Sequence, residues 1–159
     1  MKRIGLALLI AGSLASAAHA ADPAFEDHSV QLGGHIYGGD WEFFVGGGVA
    51  VMDCNADKQP DIFLAGGANP SALYVNEGGF NFALSEGPGV TDVTGAYPLD
   101  IDADGWTDLY VLRVGPDRLL RGGPDCAFED VTDAWGLPQA DRWSTAFTGW
   151  WEGDGRPTL

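Results

Sequence analysis

Eight acidic or amide side chains stand in two matching sets along this chain. The first set is Asp53, Asn55, Asp57 and Asp61, inside Asp53-Cys54-Asn55-Ala56-Asp57-Lys58-Gln59-Pro60-Asp61. The second is Asp100, Asp102, Asp104 and Asp108, inside Asp100-Ile101-Asp102-Ala103-Asp104-Gly105-Trp106-Thr107-Asp108. Both nonapeptides read D-x-[DN]-x-D-x-x-x-D, with first residues 47 positions apart. Oxygen donors at positions 1, 3, 5 and 9 of a tight loop suit a hard divalent cation, and Ca²⁺ takes about 6–8 oxygens at about 2.3–2.6 Å. Asp and Asn are also common turn formers for backbone reasons alone. One such loop would call for no more than that. Two copies with matched offsets crowd carboxylates that repel one another until a cation neutralises them, so the expected cofactor is structural Ca²⁺.

The flanking elements must hold each loop, and they are not those of an EF-hand. That motif needs a helix on either side and a bidentate Glu at position 12. Position 12 here is Leu64 or Val111. The preceding stretches, Gly48 to Met52 and Ala96 to Leu99, are short and marked by Gly or Pro. The following runs, Ile62 to Ala65 and Leu109 to Val114, are short, apolar and rich in β-formers, which predicts strands. Each unit is therefore strand, acidic loop, strand. Gly105 at position 6 suits a sharp turn, whereas Lys58 in the first copy adds a positive charge and loses conformational ease. The first site is expected to be the weaker.

Composition excludes several functions. Eight basic and 23 acidic residues give a formal net charge of −15. Such a surface repels phosphate backbones and anionic membranes, so a nucleic-acid partner is not expected. Residues 1–20 read as a cleavable signal peptide. Lys2-Arg3 form its positive start, Ile4 to Leu14 its apolar run, and Ala18-His19-Ala20 its cleavage site. The mature region is 21–159, in the periplasm or outside the cell, with no later segment apolar enough to span a membrane. Cys54 and Cys126 fit an oxidising compartment. They either pair as a disulfide or remain two buried thiols, and the sequence leaves both open.

No Ser/His/Asp order, HExxH motif or phosphate loop is present, so no catalytic residues are assigned. His28 and His35 suit a surface or packing role better than a metal site. Further echoes support a repeat. Leu73-Tyr74-Val75 follows the first loop as Leu119-Leu120-Arg121 follows the second. Phe80 and Phe128 stand 27 and 28 residues after their loops begin, and Phe25-Glu26-Asp27 is echoed by Phe128-Glu129-Asp130. A third, degenerate loop spans Trp150 to Thr158. It keeps acceptors at positions 3 and 5 and Gly at 6, has Trp at 1 and Thr at 9, and is expected to bind metal poorly. Short strands between Gly, Pro and Asn turns, with at most a turn or two of helix near Thr132 to Trp135, predict an all-β repeat protein. The aromatic residues are expected to pack between stacked sheets.

The acidic loops, with Gly48-Val49-Ala50-Val51-Met52 before one and Asp61-Ile62-Phe63-Leu64-Ala65-Gly66-Gly67 closing it, resemble FG-GAP/VCBS repeats, the blade units of integrin-α-like propellers. More narrowly, Phe128-Glu129-Asp130-Val131-Thr132-Asp133-Ala134-Trp135-Gly136-Leu137 resembles bacterial proteins similar to cartilage acidic protein. The resemblance covers about Phe25 to Leu159. It implies a seven-bladed β-propeller whose loop carboxylates hold structural Ca²⁺. Position by position, the implied ligands are Asp53, Asn55, Asp57 and Asp61, then Asp100, Asp102, Asp104 and Asp108. Gln59 and Trp106 would add backbone carbonyls.

Length departs from that pattern. A closed propeller needs about four to eight blades, and 139 residues follow the cleavage site. The expected architecture is a partial β-propeller of about two four-stranded blades plus the start of a third, in a truncated member of the family. Open blade edges are expected to favour self-association. The expected function is a non-enzymatic binding or adhesion module displayed to protein or glycan partners. The alternatives are a piece of a larger exported enzyme, or a nonfunctional remnant.

Overall fold

The computed structural model describes residues 22–153 and 155–159, so the signal-peptide segment lies outside the described residues. Two four-stranded antiparallel meanders dominate, followed by a hairpin. The first meander is β1 (Val49–Met52), β2 (Asp61–Leu64), β3 (Ala72–Asn76) and β4 (Phe82–Ser85). The second is β5 (Val93–Leu99), β6 (Asp108–Arg113), β7 (Arg118–Gly122) and β8 (Phe128–Asp130). The hairpin pairs β9 (Trp150–Trp151) with β10 (Pro157–Thr158). The chain is all-β, with sheets arranged as partial propeller blades and no α-helix among the described residues. The stretch at 132–136 makes a single turn, closed by Trp135 N–H to the Val131 carbonyl.

Period-2 alternation decides which face is buried. In β1, Ala50 and Met52 point inward while Val49 and Val51 face out. Phe63 and Leu73 from the first sheet join Val93, Leu109, Val111 and Leu120 from the second in one shared core. The blades therefore pack face to face, as each sheet must bury one apolar side. The inner strands approach so closely that a Cβ on Gly48 would stand 2.6 Å from the Cα of Gly95. That position admits only glycine.

Two expectations need correction. The core is built mainly from aliphatic residues, Phe63 and Tyr74 being its chief aromatic contributors, and none of the six Trp residues is buried. The aromatics cluster instead at margins: Trp41 meets Trp143 edge-on at 5.3 Å, and Tyr97 and Tyr110 flank Phe147. Large rings do not fit where glycine-lined strands pack this closely. The second correction concerns the repeat register. Phe128 faces Gly122 and Phe82 faces Asn76, so Phe82, not Phe80, is the counterpart of Phe128. Phe80 sits in the β3–β4 turn at φ +61°.

The residues before β1 wrap the first blade. His28 stacks on Phe80 with ring centroids 4.8 Å apart, and Nε2 of His35 donates to the Ala65 carbonyl at 2.8 Å. Both histidines thus make packing contacts with this blade.

Candidate metal centre

Each nonapeptide occupies the turn between the first two strands of its blade. In the first loop, Asp53 accepts from the N–H of Asp57 through Oδ1 (3.1 Å) and from Lys58 through Oδ2 (2.8 Å). Asn55 Oδ1 also accepts from Asp57 N–H, and Asp57 Oδ1 accepts from Gln59 N–H. The second loop repeats this bond for bond. Asp100 accepts from Asp104 (3.1 Å) and Gly105 (3.0 Å), Asp102 Oδ1 from Asp104, and Asp104 Oδ1 from Trp106. These short side-chain-to-backbone bonds curl the chain around its own carboxylates. Position 4 takes the left-handed conformation in both loops, with Ala56 and Ala103 at φ +62°. Position 6 does so too, Lys58 at +69° and Gly105 at +91°.

Position 9 has a second task that the motif does not announce. Asp61 is fully buried; its Oδ2 accepts from Cys54 N–H (2.9 Å) and its Oδ1 from Asn76 N–H at the end of β3. Asp108 is equally buried and accepts from Ile101 N–H (2.7 Å) and from Gly122 N–H at the end of β7 (2.8 Å). Each carboxylate therefore ties loop position 2 to the third strand of its blade. A Cβ on Gly122 would run into the Thr107 carbonyl, so glycine is required where β7 reaches the loop.

Electrostatics separates the members of the second loop. Burial pushes the Asp108 carboxyl up, against the pull of the Gly122 and Ile101 N–H groups, and the charges of Asp102 and Asp104 push it further. Asp104 is held below the usual carboxylate range, first by the Trp106 N–H and then by Arg121. Arg121 comes from β7 and was not among the residues singled out by sequence. Its Nε donates to Asp102 Oδ2 at 2.8 Å and its Nη2 to Asp104 Oδ2 at 2.6 Å. The available signal was the echo between Leu119-Leu120-Arg121 and Leu73-Tyr74-Val75, which sets Arg121 opposite Val75.

The structure brings oxygens of Asp100, Asp102 and Asp108 within 4.8 Å of one another. Each pair of such charges repels by about 1 kcal/mol even in a water-like dielectric, and by more near the buried Asp108. The donor set is all oxygen and hard, which fits Ca²⁺ rather than a softer metal. Asp104 is not in that trio but shares Arg121 with Asp102. In the first loop Asn55 takes the place of Asp102 and supplies one oxygen and no charge. Gln59 and Trp106 have their N–H groups tied to the position-5 carboxylates.

Cys54, at position 2 of the first loop, is joined to Cys126 by a disulfide with Cα atoms 4.8 Å apart. Cys126 ends the short turn Pro124–Cys126 between β7 and β8, so the bond links the two blades. Asp61 Oδ2 lies 3.0 Å from Cys54 Sγ. A disulfide sulfur has no proton to donate and no thiolate to offer a metal, so Cys54, Asp61 and Cys126 do not form a metal site. The third loop lies in the β9–β10 hairpin, where Thr158 pairs with Trp150, one residue out of the register in which Asp61 pairs with Met52 and Asp108 with Leu99. Its Trp150 Nε1 donates to Glu152, and its position 5, Asp154, lies outside the described residues.

Residues 53–111 match the family model of the FG-GAP-like repeat. This segment is similar to an FG-GAP-like repeat. The match runs from the first position of one acidic loop through β2 to β5, the second loop and into β6. No curated protein and no solved structure matches the chain. FG-GAP repeats are generally binding modules without enzymatic activity, they often hold Ca²⁺, and they commonly bind protein partners. Among the described residues no helix is long and apolar enough to cross a membrane. The disulfide is compatible with an extracellular protein.

Proposed function

We propose that this chain is an exported, non-enzymatic binding module whose blades are clasped by structural Ca²⁺. The ions would sit in loops 53–61 and 100–108. Asp53, Asn55, Asp57, Asp61 and the Gln59 carbonyl would serve the first. Asp100, Asp102, Asp104, Asp108 and the Trp106 carbonyl would serve the second. Partners would be proteins or glycans met outside the cytoplasm, after removal of residues 1–20. Two loops of different sequence folded into the same bonded frame are the observation that carries this reading, with three carboxylates converging in the second. The ion would turn their repulsion into attraction. Because Asp61 and Asp108 also hold the third strand, loop closure would stiffen the whole blade.

A thermal melt across a Ca²⁺ titration tests it. A ligand that binds only the folded state adds about 2.7 kcal/mol at a hundredfold excess over Kd. Asp57→Ala combined with Asp104→Ala is the right control, because both residues lie on the loop surface. Asp108→Ala would break a strand contact regardless of metal. A Ca²⁺-dependent rise that the double variant lacks supports the reading. A cooperative melt indifferent to Ca²⁺ overturns it and leaves the loops as acidic turns.

A further inference from the structure

We propose that Arg121 is a built-in counter-ion that competes with the divalent cation for the second loop and sets its affinity. This rests on the calcium reading above. The Oδ1 atoms of Asp102 and Asp104 are engaged by the N–H groups of Asp104 and Trp106. Their Oδ2 atoms carry no backbone donor, and the guanidinium takes both, Nε on Asp102 at 2.8 Å and Nη2 on Asp104 at 2.6 Å. Arg121 therefore holds the oxygens that the turn bonds leave over for a metal. A Ca²⁺ bound to either Oδ2 at about 2.4 Å would lie within about 5 Å of the bonded guanidinium nitrogen. Two like charges that close repel, so metal entry requires the arginine to swing out.

Two features suit such a gate. The Arg121 side chain is 42 % exposed, so solvent is open to receive it. The first blade has no equivalent, since Val75 stands at the same place relative to the position-9 bond: Asn76 N–H meets Asp61 there as Gly122 N–H meets Asp108. Arg121 thus serves as the charge that keeps the metal-free second loop folded, and as the group that weakens its hold on metal. The first loop keeps its metal-free shape with fewer carboxylates and a disulfide.

Terbium luminescence offers a direct test, because Trp106 at position 7 is a natural antenna. The titration uses the chain carrying Asp57→Ala, which disables the first loop. Trp106→Phe identifies the emission that comes from the second, and Ca²⁺ displacement of Tb³⁺ gives the calcium affinity. Arg121→Val, the sister-blade residue, is expected to bind about three- to tenfold more tightly, the low end reflecting solvent screening of an exposed pair. Arg121→Gln should fall between it and the parent, and it serves if the valine variant does not fold. Melting should show a crossing: the variant less stable than the parent in EDTA, with a larger gain on adding Ca²⁺. Equal or weaker binding by both variants overturns the competition and leaves the calcium reading standing. Absence of metal binding in parent and variants alike overturns both.

Discussion

The two acidic loops share one backbone and differ in what stabilises it. The first has Asn55 at position 3, Lys58 at position 6, Val75 on the third strand and a disulfide at position 2. The second has Asp102, Gly105, Arg121 and Ile101 at those places. The loops differ in their cations: Lys58 is an exposed residue of the first turn that engages Asp53 through its backbone N–H, while Arg121 reaches in from β7 and pairs with Asp102 and Asp104 of the second. The first loop lowers its own charge and is braced covalently. The second keeps four carboxylates and balances them with a movable partner. A repeat can thus conserve its hydrogen-bond frame while each copy solves the charge problem separately.

Removing the disulfide brace is expected to have the largest effect. Cys54→Ser with Cys126→Ser should cost about 2–5 kcal/mol in urea denaturation. It should weaken Ca²⁺ binding at the first loop and leave the second within error, read as separate components of a titration. Equal losses at both loops would mean the bond supports the blade pair rather than one loop. Next in size is Gly122→Ala. Displacing the Thr107 carbonyl and pulling the Gly122 N–H from Asp108 should cost about 2–4 kcal/mol. The first blade accepts a side chain at the equivalent Asn76, so Asn76→Ala should cost less.

A pH experiment sharpens the electrostatic half. Asp104 has a lowered carboxyl pKa in the metal-free fold, so it adds stability at neutral pH that is lost as pH falls through its folded value. Asp108 is raised and acts the other way: its contribution falls as pH rises from the unfolded value through the folded one. In EDTA, Asp104→Asn should therefore be less stable than the parent above about pH 4 and converge with it in stronger acid. A difference that persists unchanged at low pH would assign the loss to packing instead. The smallest effect is expected from Lys58→Gly. It relieves a side chain at φ +69° and removes a charge, adding up to about 1 kcal/mol. First-loop affinity should move towards that of the second.

The loops were legible because their information is local: donor spacing, the left-handed turn at position 6 and β-rich flanks all lie within a dozen residues. Strand positions followed for the same reason. The site was less legible wherever the chain returns from a distance. Arg121 belongs to the second loop only because β7 pairs with β6, and nothing in its immediate sequence says so. Asp61 and Asp108 looked like ordinary ligands, yet their buried bonds to Asn76 and Gly122 depend on where the third strand ends. The counterpart of Phe128 was misread as Phe80 because counting from the loop ignores the residues taken up by the β3–β4 turn. The expectation that the aromatic residues pack between stacked sheets follows from each sheet's need to bury its faces, whereas close strand packing leaves room mainly for aliphatic side chains.

The bond between Cys54 and Cys126 also has a mechanical meaning. The residues are 72 positions apart, and the chain between them carries β2 to β7 and the whole second loop. That stretch is a covalent circuit. Tension applied through the two ends of the chain passes across the sulfur bridge, not around the circuit, so pulling can extend only the segments outside it. A partner tugging on this protein would find the second loop sheltered from the load, held at its folded length until the bridge is reduced.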